Sequence, residues 1–251
     1  MKNPQLVATA NVTRLMDALS AVQLRGAVEA CLMVVDGEPG LGKTYAAAKL
    51  AVENNWIYLR AKKAWSPVWM LREMLEDELR IQPERSFAGL FRQALQGLAT
   101  RLQDGDRQGR PFALVIDEVD HLIRSSLLLE TIRDLSDAIY VPTILVGMGK
   151  VRTGLGRFPQ IASRVGQYVG FERATVEDVR LLADTLAEVP IADDLVATLH
   201  RASGGLAREI MEGLASIERQ GRRATRPITV ADMRGLPLLN DRRTGRPVIV
   251  P

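Results

Sequence analysis

Short apolar runs alternate with amphipathic stretches over the first two thirds of the chain. Five of these runs predict strands: CLMVVD, WIYLR, FALVID, PTILVG and QYVGFE. Helical spacing outside these runs predicts helices over residues 12 to about 29 and over 43–54. It also predicts two helices within 66–103 and one around Leu128, Ile132, Leu135 and Ile139. Runs this apolar are typical of strands that are covered on both faces. The alternation therefore predicts an α/β fold with a five-stranded parallel sheet.

From Thr175 onward the pattern is helical only. TVED has the sequence of a capping box, and further helices are predicted near 192–203, 206–220 and 230–235. The basic tail PLLNDRRTGRPVIVP has three prolines and no period, which predicts an extended arm. The predicted organisation is an N-terminal helical extension over 1–30, an α/β domain over 31–173, a small all-helical domain over 174–236 and the tail over 237–251.

Composition indicates a globular protein outside the membrane. The 251 residues are 47% hydrophobic, yet no apolar run approaches the roughly 18 residues needed to cross a bilayer. The N-terminus MKNPQLVATAN lacks the apolar region of a secretory signal, so a cytoplasmic location is expected. The single cysteine, Cys31, lies in an apolar run and is predicted to be a buried thiol. His121 and His200 are isolated, without metal-ligand spacing, and are expected to be structural.

Positive charge is concentrated at the C-terminal end. The net charge of the chain is +3, whereas residues 201–251 contain ten arginines and five acidic residues, a local charge of +5. Such a distribution fits an anionic partner and equally fits an ordinary solvated face.

A phosphate-binding loop follows the first predicted strand. Gly37, Gly42, Lys43 and Thr44 satisfy G-x-x-x-x-G-K-[ST], between a buried strand and a helix. Glycines let backbone N–H groups turn toward phosphate oxygens, Lys43 reaches the β- and γ-phosphates, and the Thr44 hydroxyl binds Mg²⁺. We therefore predict that ATP is bound by loop residues Gly37, Glu38, Pro39, Gly40, Leu41, Gly42, Lys43, Thr44 and Tyr45.

An acid pair, Asp117 and Glu118, ends the strand FALVID. Ligands of parallel sheets bind outside the carboxyl ends of the strands, so this pair is expected beside the phosphate loop. Asp117 is predicted to hold Mg²⁺ through water, and Glu118 to polarise the water that attacks the γ-phosphate. Together with the loop, these residues predict an ATPase.

Four stretches resemble the AAA+ ATPases: GEPGLGKT, LVIDE, the SR of QIASRV, and GGLAREI. The resemblance implies that Arg164, or less closely Arg157, is an arginine finger that reaches the nucleotide of a neighbouring subunit. It also implies that Arg208 contacts the γ-phosphate from the helical lid. Independently, Arg208 points away from the apolar face of its predicted helix. The strand PTILVG ends in Gly147 and Met148, where many AAA+ proteins have a polar residue, so slow hydrolysis, stimulated by DNA or a partner, is expected.

Within the AAA+ ATPases, the chain looks most like the phage Mu B transposition proteins and related transposon target-selector ATPases. That resemblance implies ATP-driven assembly into helical filaments on duplex DNA without sequence preference, and delivery of target DNA to a transposase in a bacterial cytoplasm. It also implies DNA-backbone contacts by Lys62 and Lys63, after the second strand, and by Arg124. A pair of solvated loop lysines remains the alternative for Lys62 and Lys63.

Three other functions stay open. The chain could be a helicase loader or replication initiator, a protein-remodelling ATPase that never touches DNA, or a kinase of a small metabolite, which Arg208 and the helical lid disfavour. Next to the two lysines, Ser66 and Pro67 have the sequence of a helix start, which favours Trp65 as a packed residue at the helix entry over a base-stacking residue. Trp69 is expected to be packed as well.

Overall fold

The computed structural model describes residues 6–222, 226–242 and 244–251. Residues 1–5 of the predicted N-terminal extension lie outside the described residues. The described chain divides into two compact units. Unit 1 contains residues 6–13, Glu38–Gly42 and Phe171–Pro251, and unit 2 contains Arg14–Gly37 and Lys43–Gly170. No helix among the described residues is both long and apolar enough to cross a membrane.

A five-stranded sheet forms the centre of unit 2. Its strands are β1 (Leu32–Asp36), β2 (Ile57–Arg60), β3 (Leu114–Asp117), β4 (Thr143–Val146) and β5 (Val165–Gly170). They lie in the order β2-β3-β4-β1-β5, and every neighbouring pair is parallel. The side chains of β3 and β4 are buried throughout, because helices cover both faces of a sheet of this kind. The predicted α/β fold with a five-stranded parallel sheet is confirmed.

The first five helices follow the predicted order, and two short helices before the last strand of the sheet were not predicted. The helices are α1 (Ala10–Gln23), α2 (Lys43–Asn54), α3 (Pro67–Glu73), α4 (Phe87–Arg107), α5 (Ser126–Ile139), α6 (Val151–Leu155) and α7 (Pro159–Ala162). A π-helical segment, Met74–Leu79, continues α3, and a 3-10 turn, Val119–His121, follows β3. Helix α1 ends at Gln23 rather than near residue 29, because the Arg25 guanidinium donates to the carbonyls of Val22 and Val28 and so stabilises a turn.

The start of α3 has the predicted form. The Ser66 hydroxyl accepts a hydrogen bond from the N–H of Trp69 at 3.2 Å, and Pro67 occupies the first turn. Trp65 and Met70 are both buried, as expected of residues that fix a helix entry. Trp69, in contrast, is 44% exposed, so the expectation that it is packed was wrong.

Unit 1 is built mainly from α8 (Val176–Leu186), α9 (Asp193–Ser203), α10 (Ala207–Gly221) and α11 (Val230–Met233). The predicted capping box at α8 is present: the Thr175 hydroxyl accepts from the N–H of Asp178, whose carboxylate accepts from the N–H of Thr175. The apolar faces of α8, α9 and α10 meet in one core, whose fully buried members include Val179, Leu195, Leu199, Ile210, Leu214 and Ile217.

The tail is not the extended arm that its prolines suggested. It forms an antiparallel hairpin of β6 (Pro237–Asn240) and β7 (Pro247–Ile249), and Leu238, Leu239 and Val250 are buried in the core of unit 1. Each strand begins with a proline, a position where the missing N–H costs little. The hairpin therefore completes the core of the helical unit.

Candidate nucleotide site

The phosphate loop joins β1 to α2. Gly37, Gly40 and Gly42 have φ angles of 140°, 91° and 90°, a region that favours glycine and that turns the loop back toward the start of α2. Lys43, the first residue of α2, is buried, and its ammonium group donates to the carbonyl of Gly37 at 2.8 Å. The N–H groups at the start of a helix and a fixed ammonium group form a site for an anion such as a nucleotide phosphate.

Within unit 1, the start of α10 contacts the loop. The N–H of Arg208 donates to the carbonyl of Gly40 at 3.1 Å, and the Arg208 side chain is exposed. A β-carbon on Gly42 would lie 3.4 Å from that of Ala207. The fold thus brings the backbone of Arg208, chosen from sequence as a γ-phosphate contact, to the middle of the phosphate loop.

Arg173 is a second link within unit 1, and sequence reasoning missed it. Its guanidinium forms an ion pair with Glu38 of the loop at 2.9 Å and donates to the carbonyl of Gly204 at 3.1 Å. Gly205, next in the chain, has a φ of 75°, and a β-carbon there would lie 2.7 Å from the carbonyl oxygen of Ala174. Gly205 therefore allows a close backbone approach that any side chain would block.

Asp117 is buried at the end of β3, and its two oxygens have different partners. One accepts from the Tyr58 hydroxyl at 2.6 Å, and the other accepts from the N–H of Glu118 at 2.8 Å. Burial and the carboxylate beside it raise the pKa of Tyr58, which keeps the phenol protonated as a donor. Tyr58 was missed from sequence because only the pairing of β2 with β3 brings it to Asp117.

Glu118 is held by two cationic or ionisable side chains. The backbone of Glu118 is left-handed, with a φ of 55°. Arg60, which lies opposite Asp117 in the β2–β3 register, donates to one Glu118 oxygen through Nε at 3.0 Å and also through Nη2. His121 Nε2 lies 3.3 Å from the other oxygen. These contacts, the Arg60 hydrogen bond first, lower the pKa of Glu118. Sequence reasoning missed both contacts.

The donor set fits Mg²⁺ bound together with a nucleotide. Among the described residues there is no cluster of three or more His, Cys, Asp or Glu side chains that could hold a metal by itself. Mg²⁺ prefers one or two protein oxygens together with water and substrate phosphates. The hydroxyl of Thr44, in the first turn of α2, and the Asp117 carboxylate are oxygen donors of this type.

Arg164 lies directly before β5, at the amino edge of the sheet. Its guanidinium donates to the Asp137 carboxylate on α5 at 2.9 Å, and Asp137 also accepts a weak hydrogen bond from the Cys31 thiol at 3.7 Å. The thiol is fully buried, as predicted, and burial raises its pKa to about 11. Arg157, the weaker finger candidate, is exposed in the turn between α6 and α7.

The candidate DNA contacts differ from one another. Lys62 forms an ion pair with Glu73 at 2.6 Å, and its ammonium group lies 5.3 Å from the centre of the Trp69 ring. Lys63 and Arg124 are exposed, and neither forms a hydrogen bond or ion pair with another residue in the described part of the chain. The two adjacent lysines are therefore not equivalent.

Residues 28–155, about half of the chain, match the family described as AAA domain. The chain belongs to this family. It is an ATP-using AAA+ ATPase, and the predicted ATPase activity and fold class are both confirmed.

The AAA+ chain is also similar to two curated phage proteins. Over 189 residues it is 28% identical to the ATP-dependent target DNA activator B of Escherichia phage Mu, and equally to that of Escherichia phage D108. The match covers 72% of this chain and 56% of each relative, so the chain spans about half of their length. This confirms the resemblance to the target-activator group.

Solved structures give the same fold. ORC2 of Aeropyrum pernix superposes with a TM-score of 0.59 at 14% identity, over 90% of this chain and 66% of that chain. A RuvB variant of Thermotoga maritima superposes with a TM-score of 0.57 at 21% identity, over 90% of this chain and 69% of that chain. At such low identity, these likenesses concern the fold alone.

Proposed function

We propose that this AAA+ ATPase binds duplex DNA without sequence preference when it holds ATP, assembles on the DNA into head-to-tail filaments, and delivers target DNA to a transposase. The similarity to two ATP-dependent target DNA activators supports the choice of DNA and transposition. The exposed cations Lys63 and Arg124 are suited to phosphate contacts, which position a protein on DNA without reading sequence.

In the proposed reaction, the loop N–H groups and Lys43 hold the ATP phosphates. Thr44 and Asp117 would hold Mg²⁺, which would supply positive charge at the phosphate oxygens. Glu118 accepts a proton from the attacking water, whose oxygen bonds to the γ-phosphorus while the bond from that phosphorus to the β-phosphate oxygen breaks. ADP, inorganic phosphate and one proton are released. Arg208 binds the γ-phosphate.

One observation carries the head-to-tail arrangement: Arg164 lies at the amino edge of the same sheet whose carboxyl edge bears Asp117 and Glu118. A strand of six residues such as β5 separates the two edges by about 20 Å. An arginine there cannot reach the nucleotide of its own subunit, but it can reach the nucleotide of a neighbour. Interfaces of this head-to-tail kind generate rings or open helical filaments.

The arrangement can be tested by mixing two inactive variants. Arg164→Ala lacks the finger but keeps its own acid, whereas Glu118→Gln lacks the acid but keeps its finger. We expect each to hydrolyse ATP at least about tenfold more slowly than wild type. The mixture should regain part of the activity, because an interface that joins Glu118 of one variant to Arg164 of the other forms a complete site. Arg157→Ala is the matched control and should retain wild-type activity. A mixture as inactive as its components would contradict the arrangement in trans.

DNA binding is tested by sedimentation and fluorescence anisotropy with a random-sequence duplex. With ATP, the full chain should form large oligomers and bind DNA with an affinity that falls steeply as salt rises. With ADP or without nucleotide, both properties should be lost. Equal oligomer size and equal DNA affinity in all three states would overturn the proposal. Closed hexamers in electron micrographs would favour a loader over a filament.

A further inference from the structure

The end of β4 lies next to the proposed hydrolysis site. β4 lies between β1, which leads into the phosphate loop, and β3, which ends in Asp117. The carboxyl end of β4 therefore lies between the end of β1 and the acid pair. Yet the strand is followed there by Gly147, which has no side chain, and by Met148, whose apolar side chain is 49% exposed.

Asp120 fills the space that a side chain on Gly147 would take. It belongs to the 3-10 turn after the acid pair, and its Oδ2 accepts a hydrogen bond from the N–H of Met148 at 2.7 Å. A β-carbon on Gly147 would lie 2.6 Å from this same oxygen and closer still to Val151. Gly147 has an ordinary φ, so its lack of a side chain matters for space rather than for backbone conformation.

The second carboxylate oxygen of Asp120, Oδ1, is available to accept a hydrogen bond. Asp120 is half-buried, and within residues 6–222, 226–242 and 244–251 nothing donates a hydrogen bond to its Oδ1. A carboxylate with one oxygen fixed by a backbone N–H and the other unused is held in one orientation and can still accept from water.

We propose that Asp120 is a positioning residue for ATP hydrolysis. Its carboxylate supplies, at the end of β4, the polar group that the strand lacks, and Oδ1 accepts a hydrogen bond from the attacking water so that the water faces the γ-phosphate. Asp120 itself takes up no proton, because Glu118 is the base. Gly147 and Asp120 thus form a matched pair, in which the glycine leaves the room that the carboxylate occupies. The inference rests on the hydrolysis site proposed above and is independent of DNA binding.

Asp120→Asn separates this role from that of a structural cap. The asparagine carbonyl can still accept from the N–H of Met148, but its NH₂ then replaces Oδ1, so that the water meets a donor instead of an acceptor. If Asp120 only caps the turn, Asp120→Asn behaves as wild type. If it orients water, the single-turnover rate falls at least about tenfold, while the Kd for a fluorescent ATP analogue and the thermal midpoint stay unchanged. Asp120→Ala should be equally slow.

Two further variants complete the test. Asp134→Asn, a change of the same kind in a 51% exposed aspartate on α5, should leave hydrolysis unchanged. Glu118→Gln should be inactive; if it hydrolyses ATP at the wild-type rate, the proposed hydrolysis site itself is wrong. If Glu118→Gln is inactive and Asp120→Asn has wild-type rates, or binds ATP more weakly in proportion to its loss of rate, the role of Asp120 alone is overturned.

Discussion

The nucleotide site has an inner part whose groups are fixed by burial and an outer rim whose charged groups are paired with one another. In the inner part, Lys43 and Asp117 are buried and are held by the Gly37 carbonyl and the Tyr58 hydroxyl. At the rim, Glu118 is held by Arg60 through an ion pair whose side chains are 36% and 62% exposed. Groups of the first kind are ready for a ligand, whereas groups of the second kind must change partners before they can act.

The energetic difference follows from solvent. An exposed ion pair contributes roughly 0–1 kcal/mol, so a phosphate or a conformational change can displace it at small cost. Breaking a buried hydrogen bond to a charged group costs about 1.5–3 kcal/mol. Nucleotide binding is therefore expected to be built into the fold, whereas hydrolysis and contact with DNA are conditional. Four predictions test this difference, in order of decreasing expected effect.

The largest effect is expected at Lys43. In Lys43→Ala the phosphates lose a fixed cation, so ATP should bind about 30-fold more weakly or worse, the equivalent of about 2 kcal/mol. Titration with a fluorescent ATP analogue measures the change. Lys49→Ala, on the same helix, is the control and should bind like wild type. An unchanged ATP affinity in Lys43→Ala would contradict the role of the loop.

Tyr58→Phe tests the other inner group. The substitution removes the hydroxyl that orients the Asp117 carboxylate. Loss of a residue that hydrogen-bonds to a metal ligand typically lowers metal affinity by about 10-fold or more. The Mg²⁺ concentration required for half-maximal ATP binding should rise by about this factor. The exposed Tyr140, changed to Phe, is the control. If both variants require the same Mg²⁺ as wild type, Asp117 is not positioned by Tyr58.

The functional groups of both parts were predicted from sequence, but the side chains that hold them were not. The phosphate loop and the acid pair are contiguous motifs next to apolar strands, so chain position alone indicated Lys43, Asp117 and Glu118. The partners Tyr58 and Arg60 come from β2, and no spacing in the sequence states that β2 pairs with β3. Pairing between strands far apart in the chain is decided by the whole sheet.

Two other misses have local physical reasons. The tail was predicted to be an arm because its prolines were weighed as breakers, although a strand tolerates proline at its first residue. Lys62 was predicted to contact DNA in the same way as Lys63, because neighbouring lysines look alike in sequence. The two lysines differ because Lys62 forms an ion pair with Glu73. Glu73 is the last residue of α3, the helix that follows the loop, and the sequence does not show this contact.

Arg60→Ala tests whether the rim restrains hydrolysis. Release of Glu118 should raise the basal ATPase rate by at most about fivefold, since an exposed ion pair is worth roughly 0.2–1 kcal/mol. Arg60 lowers the pKa of Glu118, and the base acts unprotonated, so the variant should lose activity at a higher pH than wild type as the pH falls. Arg92→Ala, which breaks an equally exposed pair with Glu84, is the control. A lower rate in Arg60→Ala at neutral pH would show that Arg60 assists Glu118 instead.

The smallest effects should distinguish the two lysines of the loop after β2. Lys63 is exposed and forms no hydrogen bond or ion pair with any described residue, whereas Lys62 must leave the Glu73 carboxylate and the Trp69 ring before it can bind a phosphate. In the presence of ATP, Lys63→Ala should weaken binding to every duplex alike and reduce the slope of log affinity against log salt by about 0.9, the value for one phosphate contact. Lys62→Ala should reduce the slope by clearly less, because the gain from DNA is offset by the pair that is lost. Equal slopes for both variants would mean that DNA displaces Glu73 completely, and wild-type slopes for both would remove this loop from the DNA contact.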